Sequence, residues 1–262
     1  MNNMTEPNQF RAAASGAAMS EDELIGIVKH LLAEFGHDSA PLVQKIAAGT
    51  ATREQITRLG IHFQNFTRIT PNVLGSLYSR CYDHAVRRKI MDNLIDEDTG
   101  MRCGDQPHYE LAMEFVTRFS GMSWDEVAAQ PIPYEVQDIN NFRLRTATQV
   151  PVAVAMGAFG LAGEAGFSAA AAAVSDGLRE HYGVKDEDQV SWIVHIEGDE
   201  EHSEVAEAIV RKMIRKADDQ QLCIRLCAEY LDRWQFLYGV AEDPDFKLRR
   251  SALRTFEAAI AN

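Results

Sequence analysis

Between Thr146 and Ser175 the chain runs for thirty residues with a single charged side chain, Glu164. So apolar a stretch either crosses a membrane or forms the inside of a globular fold. Gln149, Pro151, several glycines and the run Ala169–Ala173 keep its hydrophobicity modest, so the expectation is a buried central helix and no membrane span. That reading makes Glu164 conspicuous. A carboxylate taken into an apolar interior is ordinarily protonated, paired with a cation or bound to a metal. Its small neighbours (Gly160, Ala162, Gly163, Ala165 and Gly166) leave room beside it. The bland alternative is a protonated core glutamate, or one paired with a distant arginine.

Around this segment strand patterns are nearly absent and helix signals recur. Ser20 precedes EDELIGIVKHLLAEF, with acids in the first turn and Gly36 at the stop, which reads as a capped amphipathic helix. Thr50 or Thr52 opens another, with Ile56, Leu59, Phe63 and Phe66 at helical spacing. From Pro71 a long helix is expected as far as Gly100, since Val73, Leu74, Leu77, Tyr78, Ile90 and Leu94 recur with a period near 3.6. His108–Phe119 follows a loop, and the long central segment 135–182 follows Pro131 and Pro133. Further helices are expected at about 189–216, 218–239 and 244–260. Seven to nine helices with no Pro-, Gly- or Ser-rich linker predict one all-α domain, a compact bundle over residues 19–262. Residues 1–18 read as a loose tail with no signal-length apolar core.

With 26 Lys+Arg against 39 Asp+Glu the net charge is −13. Such a chain repels phosphate backbones, so no nucleic-acid role is expected. Four cysteines in 262 residues form no disulfide framework and read as free thiols in a reducing, cytoplasmic setting.

The sharpest chemical signal is VHIEGDEEHSE. His195, Asp199 and His202 stand at i, i+4 and i+7, within about 60° of one another on a helix face. Two imidazoles and a carboxylate there suit a divalent metal of the zinc, iron or manganese type. The competing reading is an acidic helix with stray histidines. A weaker signal is NLIDEDTG followed by HYEL: Glu97 ends one helix and His108 opens the next. Asp96 and Asp98 flank Glu97, and spacing alone does not say which acid points inward. Taken singly this is a helix terminus and a capping histidine. Together Glu97, His108, Glu164, His195, Asp199 and His202 make a set from four helices that two metal ions inside a bundle would use. It lacks the paired Glu-x-x-His motifs of ferritin-type sites.

With these residues assembled, the chain resembles the heme-oxygenase-like diiron oxidases and oxygenases, whose superfamily also holds thiaminase II (TenA) and pyrroloquinoline-quinone synthase. The resemblance spans about residues 22–240. It rests on Phe63–Thr70 followed by Pro71, on Asn93, Leu94, Glu97, His108, Glu110 and Leu111, on Glu164, and on His195-x3-Asp199-x2-His202. One departure is that Asp98 rather than Leu follows the glutamate. The resemblance implies a heme-oxygenase-like fold and two ferrous ions, one held by Glu97, His108 and His195 and the other by Glu164, Asp199 and His202. It also implies dioxygen as co-substrate and a small organic substrate, amino-acid- or carboxylate-derived, undergoing N-oxygenation or oxidative C–C cleavage. A homodimer is expected. The alternative is a metal-free thiaminase II or quinone-synthase-like enzyme of the same fold. Thiaminase II uses a cysteine nucleophile, and no cysteine here matches it; Cys103 lies in a loop.

Other residues rank lower. Cys223 and Cys227 share a helix face and read as core packing. His62, His84 and His181 show no partner pattern. Arg68, Arg143 and Arg145 adjoin apolar helices, and one of them would suit a substrate carboxylate by bidentate contact; a surface ion pair is the competing reading for each.

Overall fold

Ser20 and Thr52 each accept a hydrogen bond from the backbone N–H three residues on and are answered by Glu23 and Gln55. These capping boxes fix where the first long helices start. The structure is a computed structural model, and it describes residues 10–101 and 104–261, the side chains of 197–202 excepted. Its first half runs through α1 (Arg11–Ala14), α2 (Glu21–Phe35), α3 (Pro41–Ala47), α4 (Arg53–Thr67), α5 (Thr70–Arg80), α6 (His84–Thr99) and α7 (His108–Ser120). Then come α8 (Trp124–Ala128), α9 (Tyr134–Gln149), α10 (Val152–Gly157) and a π-helical segment (Ala158–Glu164). The chain closes with α11 (Phe167–Tyr182), α12 (Val190–Met213), α13 (Ala217–Glu242) and α14 (Ala252–Ile260). Among the described residues there is no strand, and the fold is the expected all-α bundle.

Several helices are shorter than their periodicity suggests. The long helix expected from Pro71 to Gly100 is two helices, because Asp83 accepts from the N–H groups of Ala85 and Val86 and starts α6 afresh. A side chain that satisfies the orphan donors of a helix start competes with helix continuation. The central segment 135–182 is likewise broken, first at Pro151 and then at Gly166, whose φ of 82° begins α11. By length and composition the run Val152–Tyr182 would cross a membrane, yet 67% of its most apolar window is buried inside the fold.

The hub is α13 rather than this central segment. It packs against α2, α4, α9, α10, α14 and the π-helical segment, burying Cys223, Cys227, Tyr230, Trp234 and Tyr238 along its length. Cys223 and Cys227 are therefore core residues, and Cys81 is also a buried free thiol. Cys103 lies outside the described residues.

Within the segment expected as a loose tail, Phe10 packs inward. Phe10 is 3% exposed and its ring lies 6.1 Å from that of Phe256 on α14. Ala13 and Met19 are also buried. Removing a phenylalanine from water contributes about 2 kcal/mol, enough to hold a short segment that polarity alone would leave loose. Residues 1–9 lie outside the described ones.

Candidate metal centre

Three helices deliver one buried cluster. Glu97 comes from the last turn of α6, His108 from the first residue of α7 and His195 from the second turn of α12. One ligand atom of each lies within 4.8 Å of the others. His108 is 5% and His195 7% exposed, and the Glu97 side chain 11%. Two imidazoles and a carboxylate with room left over match the facial donor set of non-heme ferrous sites. The residues present therefore fit a bound iron.

The loop between α6 and α7 brings Glu97 to His108. Gly100 takes φ 64°, and a Cβ there would lie 1.9 Å from the Gln106 carbonyl oxygen. Only glycine permits both the left-handed turn and that approach. The result sets His108 Nδ1 3.4 Å from Glu97 Oε1, with Nε2 3.9 Å from Asp96 Oδ2. Asp98 is exposed. Glu97 thus stands at one edge of the His108 ring and buried Asp96 at the other.

His195 is oriented by its own helix. Its Nδ1–H donates to the Ser191 carbonyl at 2.7 Å. A carbonyl only accepts, so the proton sits on Nδ1 and the lone pair on Nε2. Phe63 and Phe167 stand edge-on to the ring, each 5.5 Å between centroids, and hold it in place.

Glu164 enters from the side. The π-helical segment ends with the Ala165 N–H reaching back five residues to the Gly160 carbonyl, a wide turn of the kind that clusters at functional sites. Glu164 is half-buried rather than enclosed and lines a cavity with Glu97, His195 and Arg143. The space its small neighbours offer is partly taken by α13: a Cβ on Gly163 would meet Tyr230 at 2.6 Å, and one on Gly157 would meet Cys223 Sγ at 2.7 Å. Asp199 and His202 stand on α12, which is helical through both positions; their side chains lie outside the described residues.

The cavity opens to solvent, its roughly 560 Å3 of space free of protein atoms including that opening, and Phe63, Phe66, Phe159, Phe167, Tyr230 and Trp234 form its aromatic wall. None of the described cysteines lines it. Of the three arginines, Arg68 and Arg145 are exposed, whereas Arg143 is 4% exposed and lines the cavity. Its Nη1 donates to the Phe66 carbonyl at 2.8 Å and its Nη2 to Thr70 Oγ1 at 2.7 Å, with Cζ 3.7 Å over the Phe66 ring. Burial pulls this guanidinium below its usual value, and Tyr230, Glu97 and Glu164 pull it back up. The aromatic wall and the Ser191 carbonyl were not singled out from sequence, and Asp96 was named there only as a neighbour of Glu97. Aromatic letters mark core everywhere, and a backbone carbonyl is present whatever residue carries it.

Comparison with solved structures defines the class. The chain superposes on a heme-oxygenase-like domain from Shewanella denitrificans with a TM-score of 0.66, at 10% identity over 84% of this chain and 89% of that one. A TenA homologue from Pseudomonas syringae gives 0.69 at 13% identity, covering 91% and 96%. A CADD-like protein from Nostoc punctiforme gives 0.65 at 20% identity, covering 85% and 99%. The fold is heme-oxygenase-like. A model of the iron-containing redox enzymes matches residues 57–235, and the chain belongs to that family. It is also similar to proteins named 4-aminobenzoate synthase: 25% identical over 195 residues to that of Chlamydia pneumoniae (74% of this chain, 84% of the relative). To that of Chlamydia trachomatis it is 26% identical over 180 residues (68% and 75%).

Proposed function

We propose that this chain is a non-heme diiron enzyme that uses dioxygen to oxidise a small organic molecule in the aromatic cavity. Glu97, His108 and His195 would hold one ferrous ion, and Glu164 with Asp199 and His202 the other. The observation that carries the reading is the buried Glu97–His108–His195 cluster opening onto the cavity that Glu164 also lines. Iron bound there supplies the electrons that reduce dioxygen, a reaction amino-acid side chains do not perform by themselves.

The protein's part is positional. The Ser191 carbonyl keeps the His195 proton on Nδ1, Asp96 Oδ2 stands 3.9 Å from His108 Nε2, and Phe63 and Phe167 pack edge-on against the His195 ring. A preorganised, largely buried site strengthens the charge interactions inside it.

The test is anaerobic loading with ferrous iron, followed by iron analysis and measurement of dioxygen uptake on exposure to air. Two irons per chain and stoichiometric uptake are expected. Absence of both would return the chain to the metal-free class.

A further inference from the structure

Arg143 poses a question that bracing does not answer. It ties α9 to α4 and α5 through a carbonyl and a hydroxyl. Both acceptors are neutral, and a neutral amide side chain would bridge them without bringing a charge into the core. Burying a guanidinium without a hydrogen-bonded anion is costly. The two hydrogen bonds use part of a fork that carries five N–H groups, and the remainder belongs to a residue that lines the cavity.

The surroundings say what the charge is for. Glu97 and Glu164 are the carboxylates that line the cavity together with Arg143. Once both are committed to cations, Arg143 is left without a counter-charge in a space walled by Phe159, Tyr230 and Trp234. A planar fork stacked on a ring matches a carboxylate bidentately, while the ring faces favour an apolar body.

We propose that Arg143 is the specificity-determining residue of the cavity, gripping the carboxylate of a small monocarboxylate whose apolar body lies along Phe159, Tyr230 and Trp234. The proposal rests on the iron reading above, because commitment of the two glutamates to metal is what exposes the charge. It narrows the substrate to an anion and excludes an amine of the same shape.

Calorimetric titration of the zinc-treated protein tests it without turnover, using phenylacetate, phenylacetamide and phenethylamine as probes of matched size. Phenylacetate should bind at least about tenfold more tightly than the other two, and Arg143→Gln should abolish that preference. Where Arg143→Gln does not fold, Arg143→Lys keeps the charge without the fork and should bind phenylacetate more weakly than the parent. No phenylacetate binding, or equal binding by the variants, overturns the proposal. Zinc content is measured separately: protein that takes up no zinc speaks against the metal reading, whereas loaded protein indifferent to Arg143 speaks against this one alone.

Discussion

His108 and Glu97, eleven positions apart along the chain, face each other with Nδ1 3.4 Å from Oε1, and Asp96 stands at the opposite ring edge, 3.9 Å from Nε2. On the proposed iron reading Glu97 is a ligand and Asp96 an orienting carboxylate. Glu97→Gln and His195→Ala should each lower ferrous-iron affinity by more than about a hundredfold. Asp96→Asn should cost about tenfold, in the range of outer-shell partners. Equilibrium dialysis against ferrous iron reads both. Parent-like affinity in Glu97→Gln would remove that residue from the site.

The turn at Gly100 is the mechanical link between those ligands. Gly100→Ala must both hold φ near 64° and push a methyl into the Gln106 backbone. Strain of this kind costs on the order of 1–3 kcal/mol, concentrated where α6 meets α7. Helicity by circular dichroism should stay near the parent value while iron content falls sharply. A variant with full iron occupancy would show that the turn does not set the Glu97–His108 distance.

Metal should stabilise the fold. A ligand bound only by the native state adds roughly 2.7 kcal/mol at a hundredfold excess over its dissociation constant, so ferrous iron under nitrogen should raise the melting temperature by several degrees. Glu164→Gln removes a carboxylate from the cavity and should narrow the gap between apo and loaded protein. Identical melting of the parent with and without iron would contradict the site.

Acid sensitivity follows from two buried histidines outside the cluster. Burial pulls His37 down from 6.5 to about 4, opposed by the Gly163 and Ala162 backbone. His62 is pulled to about 4 chiefly by burial, with Leu237 opposing and Arg58 adding to it. Both are bases whose folded values lie below the unfolded one. Below pH 6.5 the unfolded chain binds protons that the folded chain refuses, so stability falls as pH drops from 6.5 toward 4. Each contributes up to roughly 3 kcal/mol over that window. The melting temperature should decline across it, and His62→Gln should flatten the slope; an unchanged slope would assign the acid loss to other groups.

Much of the helical framework was legible because its determinants are local. Ser20 and Thr52 announce their helices through the backbone donors they satisfy, and Gly121 ends α7 at φ 78°, as its position after a periodic run suggests. The lone charge of Glu164 marked the cavity for an equally simple reason: an apolar run has few ways to accommodate a carboxylate. Breaks were harder to see. Asp83 is an ordinary letter until it caps α6, and the π turn before Glu164 differs from an α turn by a single residue of register. The geometry around Glu97 was undecided for a deeper reason. Helical spacing fixes the angle of a residue about its own axis but not the distance between two axes. Which of Asp96, Glu97 and Asp98 meets His108, and which of Arg68, Arg143 and Arg145 turns inward, is settled where α6, α7, α9 and α13 pack. Those approaches depend on side chains far apart in the chain, such as Gly163 against Tyr230, so only the tertiary structure decides them.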